Sequence, residues 1–425
     1  MPLKTGRRKA GIAIGACAVL VLASAAGVSA WHAAGRDGKP VGTWQDASAT
    51  VRAPVSAHLG SAERPVEAEP ARGRQQVGEL LDVRKQLGFL AGRPTRETFR
   101  YPGASYVKLH FSRMALTPGD YLTISNADGT ESYRYEAGEA RDGRWAMSVV
   151  GDTAVLEVHR GASDPAGPFG VDVDRVARGF SRTEQNRQPE KQLTAPGLTG
   201  REESVCGSDT SADAACYRSA DPVAYVRSKA IARLLINGTE LCTGWRIGKH
   251  NRMITNNHCF TTPAGARDTE VWFNYQCVKC GGYDVYRPTK VWGSGVVATD
   301  RTLDYTLFTV DRFAAVRKFG YLTLDTKRPA RGQELYVPQH PAGEPARIAG
   351  SLGEAAGTCA VLNPGYDGYA TGSDVAYYCD TEGGSSGSPV LSRATDKVVA
   401  LHHFGGCPNS GVRGDLLAAK LGRYL

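Results

Sequence analysis

The hydrophobic positions of the chain follow two different periods. Between Leu80 and Leu90 the apolar residues have helical spacing, which predicts one short amphipathic helix. From about residue 97 the period changes to two, and Val107, Leu109 and Phe111 alternate with polar neighbours. Similar alternating runs, separated by turn sequences, continue to Phe180. This pattern predicts a small antiparallel β domain over residues 96–180.

Short β-rich runs and turn residues also fill the second half of the chain, residues 204–425. An apolar run, Ile231–Ile236, is followed by Asn237-Gly238 and a second run, and Asn-Gly between two such runs is a strong hairpin signal. The last segment, Asp415–Leu425, returns to helical spacing. Roughly 220 residues of short strands that close with a helix fit two packed six-stranded barrels.

The first thirty residues have the pattern of an export signal. Lys4, Arg7, Arg8 and Lys9 precede an apolar run that ends in small residues at Ala30. This predicts a signal peptide over residues 1–30, which would be the only contact with a membrane. An uncleaved membrane anchor is the alternative interpretation. Residues 31–95 are rich in Ala, Arg, Pro, Gly and Glu, which predicts a flexible spacer that carries the one short helix.

Composition narrows the class of protein further. A chain of 425 residues has room for two or three domains, and its net charge of +8 comes from mixed Lys, Arg, Asp and Glu rather than from basic blocks. We therefore expect no nucleic-acid partner. All cysteines except Cys17 follow residue 205, so only the second half is expected to be held by disulfides. This predicts a secreted protein, extracellular or periplasmic.

A polar segment, residues 181–203, joins the two β-rich regions. Arg187, Lys191 and Arg201 make it a candidate for proteolytic processing, and a plain interdomain linker is the alternative.

The segment Gly383–Pro389 reads Gly-Gly-Ser-Ser-Gly-Ser-Pro and carries a candidate nucleophile, Ser386. A serine hydroxyl needs a base to take its proton, and the tetrahedral intermediate needs N–H donors aimed at its oxyanion. The surrounding glycines allow the backbone N–H groups of Gly384 and Ser386 to converge there. Alone, the same sequence would be only a loop.

Two further segments supply a base and a residue to orient it. His258 follows an apolar strand end, and Cys259 beside it can be tied to Cys242 on the adjoining hairpin. Asp304 interrupts an apolar run, where a carboxylate needs a buried partner. It would accept the Nδ1 proton of His258 and hold the correct tautomer.

These segments, in the order His, Asp, Ser, resemble the trypsin-like (chymotrypsin-fold) serine peptidases, and most of all the bacterial lysyl endopeptidases. The resemblance spans residues 204–425 and implies a double β-barrel that hydrolyses peptide bonds without a cofactor. Cys277 and Cys280 could form half of a zinc site, but the sequence has no second half with suitable spacing, so no metal is expected. More weakly, residues 106–180 resemble the propeptide domain of those enzymes, which implies a precursor. The motifs that carry the resemblance are Cys242–Gly244, Thr255–Cys259, Phe273–Gln276, Asp304–Leu307, Gln339–Pro341, Gly384–Pro389 and Leu401–Gly406.

The resemblance also bears on activation and on disulfides. Trypsin has an aspartate directly before its nucleophile where this chain has Ser385, so activation by insertion of a new N-terminus is not expected. The propeptide would instead assist folding or cover the cleft. Pairs Cys206–Cys407 and Cys216–Cys280 are implied by the lysyl endopeptidases, Cys359–Cys379 follows by proximity, and Cys277 stays unpaired.

A basic side chain, Lys or Arg, is the expected preference before the scissile bond, and an acidic side chain is the alternative. Asp380 lies where trypsin carries its selector carboxylate, and Asp415 resembles the lysine-pairing aspartate of lysyl endopeptidases; both favour cleavage after Lys or Arg. His403 resembles the histidine with which glutamyl endopeptidases bind an acidic side chain. The function itself is open to two further hypotheses: a catalytically silent relative that binds peptides or surface components, and an N-terminal β domain that is a permanently attached adhesion module.

Overall fold

The computed structural model describes residues 74–89, 92–139, 143–161, 170–187, 205–350, 352 and 359–425, and the backbones of two short strands at 40–43 and 64–66. The predicted signal peptide and the candidate processing residues Lys191 and Arg201 lie outside the described residues. Everything described belongs to one compact unit, Gly38–Leu425.

Two antiparallel sheets form the N-terminal part. One sheet has the order β10-β6-β12-β4-β2 with β9 on β6, and the other has the order β5-β11-β7-β8. Their inner faces share an apolar core that includes Leu81, Phe99, Phe111 and Leu156. The strands are β1 (Pro40–Thr43), β2 (Arg64–Val66), β3 (Gln75–Gln76), β4 (Gly78–Leu87), β5 (Arg96–Arg100), β6 (Tyr106–Ala115), β7 (Tyr121–Asn126), β8 (Ser132–Glu136), β9 (Arg144–Trp145), β10 (Val149–Val150), β11 (Thr153–His159) and β12 (Gly170–Gly179).

The helix predicted between Leu80 and Leu90 is wrong, because this segment forms strand β4. Leu81 and Val83 are buried while Asp82 and Arg84 are exposed, so the apolar positions serve a period of two. Pairing with β12 on one side and β2 on the other decides the conformation. The β domain therefore begins before residue 96, and the predicted spacer contributes β2 and β4 to it, whereas β1 pairs with the strand Asp284–Tyr286 in the second half of the chain.

The C-terminal part is a pair of six-stranded barrels. Strands β14-β17-β19-β20-β16-β15 form the first barrel, which closes through pairing of β14 with β15. Strands β21-β25-β26-β27-β24-β23 form the second, and hydrogen bonds between residues 332–335 and 359–361 close it. The strands are β13 (Ala212–Asp213), β14 (Ile231–Ile236), β15 (Glu240–Arg246), β16 (Met253–Thr255), β17 (Thr269–Phe273), β18 (Asp284–Tyr286), β19 (Thr289–Asp300), β20 (Tyr305–Val310), β21 (Leu335–Gln339), β22 (Arg347–Ala349), β23 (Val361–Tyr366), β24 (Asp374–Tyr377), β25 (Pro389–Ser392), β26 (Val398–Phe404) and β27 (Asn409–Arg413).

Helices are short and lie between or after the strands. The C-terminal helix predicted from Asp415 is confirmed, and Leu417 and Leu421 on its inner face join the core between the two barrels. The helices are α1 (Arg182–Arg187), α2 (Tyr217–Ala220), α3 (Pro222–Ser228), α4 (Pro263–Arg267), α5 (Phe313–Val316) and α6 (Gly414–Leu421). The all-β, double-barrel prediction is thus confirmed.

Local features of the second half also follow the sequence. Asn237 and Gly238 have φ values of +52° and +81°, as a tight hairpin turn between β14 and β15 requires. The structure contains the four expected disulfides, Cys206–Cys407, Cys216–Cys280, Cys242–Cys259 and Cys359–Cys379. Cys277 is a buried free thiol, and burial followed by the charge of Asp213 raises its pKa to about 12.

Candidate active site

His258 and Asp304 are in direct contact at the end of the first barrel. Nδ1 of His258 lies 2.9 Å from Oδ2 of Asp304, and the backbone N–H of His258 donates to Oδ1 at 3.0 Å. The carboxylate thus fixes both the ring and the main chain of the histidine. Asp304 itself has φ +37°, a left-handed conformation that aspartate tolerates, and the side chain of Asn256 donates to its carbonyl at 2.9 Å.

This contact determines which nitrogen of His258 can act as a base. An Nδ1 proton donated to the carboxylate leaves Nε2 with its lone pair. Within the part of the chain that the structure describes, Nε2 is buried and has no hydrogen-bond partner. The ring also lies beside the Cys242–Cys259 disulfide, with a ring nitrogen and both sulfur atoms within 4.8 Å of one another. Since both sulfurs are in the disulfide, neither is a free thiolate for a metal.

Ser386 lies on the loop before β25, at the seam between the barrels. Its carbonyl accepts a hydrogen bond from the N–H of Thr243 on β15 at 2.8 Å, and the N–H of Gly387 donates to the carbonyl of His402 on β26 at 2.9 Å. The loop is therefore bonded to one strand of each barrel. The hydroxyl of Thr255, three residues before His258, donates to the carbonyl of Thr243 at 2.8 Å. The loop that carries Ser386 and the segment that leads to His258 are thus anchored on the same strand.

The glycines of this loop are required where they stand. Gly384 and Gly387 have φ values of +98° and +88°, which favour glycine. A Cβ on Gly387 would overlap the carbonyl of Thr243 and the hydroxyl of Thr255, and a Cβ on Gly384 would overlap Leu241. The positive φ and close packing together shape the turn that carries Ser386.

His403 is part of this charge network, a role that the sequence reasoning missed. Its Nδ1 lies 3.0 Å from Oδ2 of Asp304 and its Nε2 lies 2.7 Å from Oδ2 of Asp374. Burial opposes its charge, but Asp374 and Asp304 together raise the pKa of His403 to about 9. Burial would likewise raise the pKa of Asp304, yet His258 and His403 hold it well below its usual value. His258 and His403 together thus keep the carboxylate ionised.

Both ring nitrogens of His403 are engaged with buried carboxylates, and its role in binding an acidic substrate side chain stays a prediction. A doublet of histidines at the end of β26, with an aspartate on the buried neighbouring strands, was the available sequence signal. Only the tertiary pairing shows which histidine reaches Asp304.

The two carboxylates expected to select a basic side chain have other partners too. Asp380 accepts hydrogen bonds from the N–H groups of Cys206 and Thr210, at 3.0 and 2.8 Å, and from the Thr210 hydroxyl at 2.6 Å. It is buried and anchors the segment Cys206–Thr210, which precedes the first barrel. Asp415 forms a two-pronged pair with Arg413, at 3.0 and 2.5 Å. Both carboxylates therefore have partners within the fold, and their selection of a basic side chain stays a prediction.

The chain is similar to several known proteins. Residues 242–401 match the family model described as a trypsin-like peptidase domain. Secreted RxLR effector protein 73 of Plasmopara viticola is 35% identical over 321 residues, which cover 73% of this chain and 77% of that protein. Among solved structures, a Glu endopeptidase in complex with MPD has 19% identity and a TM-score of 0.38, covering 52% of this chain and 98% of its own. Deg5 has 17% identity and a TM-score of 0.34, covering 45% and 87%.

The paired barrels and the matched segment define the class: this is a protein with a trypsin-like peptidase domain. More particularly, the chain belongs to the same family as the secreted RxLR effector of Plasmopara viticola. Among the described helices, none has the length and apolar character needed to cross a membrane.

Proposed function

We propose that the protein is a secreted serine endopeptidase that uses Ser386, His258 and Asp304. The observation that carries the proposal is the His258 imidazole, whose Nδ1 is held by a buried carboxylate while its Nε2 has no partner among the described residues. A ring nitrogen that keeps its lone pair and has no partner can take a proton, as a general base must. The bonding of the Ser386 loop to the same strand supports the assignment of the nucleophile.

In the proposed mechanism, Oγ of Ser386 attacks the carbonyl carbon of the scissile peptide bond while Nε2 of His258 takes the hydroxyl proton. Asp304 stabilises the imidazolium that forms. The N–H groups of Gly384 and Ser386 would bind the oxyanion. Collapse of the tetrahedral intermediate transfers the proton from His258 to the leaving amine and leaves an acyl-enzyme. Water, activated by the same imidazole, then releases the acid and restores Ser386.

We propose that the substrates are proteins or peptides and that the enzyme acts outside the cytoplasm. Four disulfides in the peptidase half support an oxidising compartment. Cleavage in the segment 181–203 would separate the N-terminal β domain as a propeptide. Asp380, Asp415 and His403 all have partners within the fold, so their positions do not decide between a basic and an acidic residue before the scissile bond. Cleavage of a peptide library measures this preference.

The direct test is labelling with a fluorophosphonate probe, which reacts only with an activated serine. We expect label on Ser386 in peptide mapping and none in Ser386→Ala. Ser392→Ala is the matched control, since Ser392 is an equally buried serine on β25 outside the loop. Absence of label from the secreted, processed protein would favour a silent binding relative instead. N-terminal sequencing of the same material reads whether the β domain is removed.

A further inference from the structure

Residues 74–77 of the N-terminal part add a strand to the first barrel of the peptidase. Gln76 faces Glu240 and Gln75 faces Leu241 in an antiparallel pair on β15, and the N–H of Val77 donates to the carbonyl of Thr239 at 2.8 Å. The barrel is already closed without this strand. We call residues 74–77 the docked strand.

The docked strand lies directly beside the nucleophile loop. The edge of β15 pairs with the docked strand at Glu240 and Leu241, with the carbonyl of Ser386 at Thr243, and with β16 at Trp245. Leu241 and Thr243 are two residues apart, which is roughly 7 Å along a strand. The stretch of β15 edge that leads to the candidate nucleophile is therefore already occupied.

Side chains strengthen this contact at both ends. The side-chain oxygen of Gln75 packs on Gly383, next to the proposed oxyanion donor Gly384, and a Cβ on Gly383 would overlap it. Arg74 forms an ion pair of 2.6 Å with Glu240, and both side chains are largely shielded from solvent. The docked strand thus contacts the peptidase through backbone hydrogen bonds, the side-chain amide of Gln75 and the ion pair of Arg74.

Behind the docked strand, the two halves share a buried interface. Val77 and Tyr106 of the N-terminal half pack with Leu241 and Trp272 of the peptidase half in one apolar cluster. The hydroxyl of Tyr106 donates to the carbonyl of Gly238 at the tip of the β14–β15 hairpin, at 2.8 Å. The N-terminal half therefore holds the tip of the β14–β15 hairpin.

Two ion pairs cross this interface in opposite senses. Lys108 of the β domain is 2.5 Å from Glu270 of the peptidase, and Glu131 of the β domain is 2.8 Å from Lys290. Their side chains are at most 1% exposed, and the hydroxyl of Ser148 donates to Glu270 at 2.6 Å. Buried charges that pair in this reciprocal way fix a single orientation of the two surfaces.

Extended peptides commonly bind proteins by adding a strand to an available sheet edge. We propose that the N-terminal β domain is the peptidase's own inhibitor, and that its docked strand takes the position on β15 that an extended peptide substrate would otherwise occupy. This inference rests on the proposed peptidase function. Small reagents that need only Ser386 and the oxyanion donors do not compete for that edge, whereas long peptides do.

The test uses the intact, uncleaved chain, checked by mass spectrometry, and a set of internally quenched ten-residue peptides. Arg74→Ala/Gln75→Gly removes the ion pair and the amide over Gly383. Its matched control is Arg84→Ala/Gln86→Gly, the same changes at exposed positions of β4 in the same domain. We expect the double variant to cleave the long peptides about tenfold faster than wild type, and the control to match wild type. Arg74→Ala alone keeps the glutamine and should give about threefold.

Fluorophosphonate labelling of the same double variant separates the two claims. Label on Ser386 with equal long-peptide rates for wild type and both docked-strand variants would overturn the inhibitor proposal and leave the peptidase function standing. No label on Ser386 in any form would remove the peptidase function, and the inhibitor proposal with it.

Discussion

The charge on His403 gives the most specific prediction for stability. This imidazole is fully buried between Asp304 and Asp374, and its pKa in the folded protein is raised to about 9. An unfolded histidine titrates near pH 6.5. A pKa that is higher in the folded state contributes stability that is complete below pH 6.5 and is lost as the pH rises through about 9. The difference in pKa corresponds to about 3 kcal/mol.

The perturbation is His403→Gln, which keeps a donor toward Asp304 but cannot titrate. The assay is urea unfolding of wild type and variant at pH 6 and pH 9. We expect the free energy of unfolding of wild type to fall by about 3 kcal/mol more than that of the variant over this range. Other titrating groups are common to both proteins and cancel in the comparison. Equal losses in the two proteins would refute the charged state assigned to His403.

Four other predictions follow from single contacts. Asp304→Asn should lower kcat by about ten thousandfold with little change in KM, as loss of this carboxylate's charge does in a Ser-His-Asp triad, measured by steady-state cleavage of a peptide. Burial lowers the pKa of Lys229 from 10.5 to about 7, so Lys229→Met should raise the free energy of unfolding by up to about 5 kcal/mol at pH 6 and by less at pH 10, where the unfolded lysine also begins to lose its proton. Gly387→Ala should abolish activity or folding because its Cβ would overlap the backbone of β15, whereas Gly422→Ala, with open space around it, should leave both unchanged in an activity and thermal-melt comparison. Asp380→Asn should cost about 2 kcal/mol in urea unfolding and leave the library-derived substrate preference unchanged, and a shift in preference would contradict the anchoring role.

The parts of the fold that could be predicted from sequence are those that depend on local signals. The Asn237-Gly238 turn is one example, because only a few residue types tolerate two consecutive positive φ values. The C-terminal helix is another, since Leu417 and Leu421 keep helical spacing through a segment that nothing else competes for. The contact between His258 and Asp304 was predictable from the rarity of an aspartate in an apolar run.

What could not be predicted depends on tertiary pairing. Leu80, Val83, Leu87 and Leu90 have helical spacing, whereas Leu81, Val83 and Leu87 fit a period of two. Only pairing with the neighbouring strands β2 and β12 decides between them for β4. Asp380 occupies the sequence position of a selector carboxylate. The N–H groups that donate hydrogen bonds to it, however, belong to Cys206–Thr210, a segment about 170 residues earlier in the chain. Sequence position alone does not show which residues contact a side chain in the folded protein.

The same reason explains why the roles of His403 and of the docked strand were missed. His403 contacts a carboxylate 99 positions away, and Gln75 contacts a hairpin more than 160 positions away. No local pattern marks either contact. For charged and polar residues in short strands, the structure therefore shows contacts that the sequence does not predict.

Ser386 and His258 are proposed to act as one catalytic unit, and the most direct measurement of this is a comparison of single and double variants. Residual peptide cleavage is measured for Ser386→Ala, His258→Ala and the double variant. Residues that share one proton transfer are strongly non-additive. We expect the double variant to be no slower than Ser386→Ala alone. Losses that multiply in the double variant would contradict the shared mechanism.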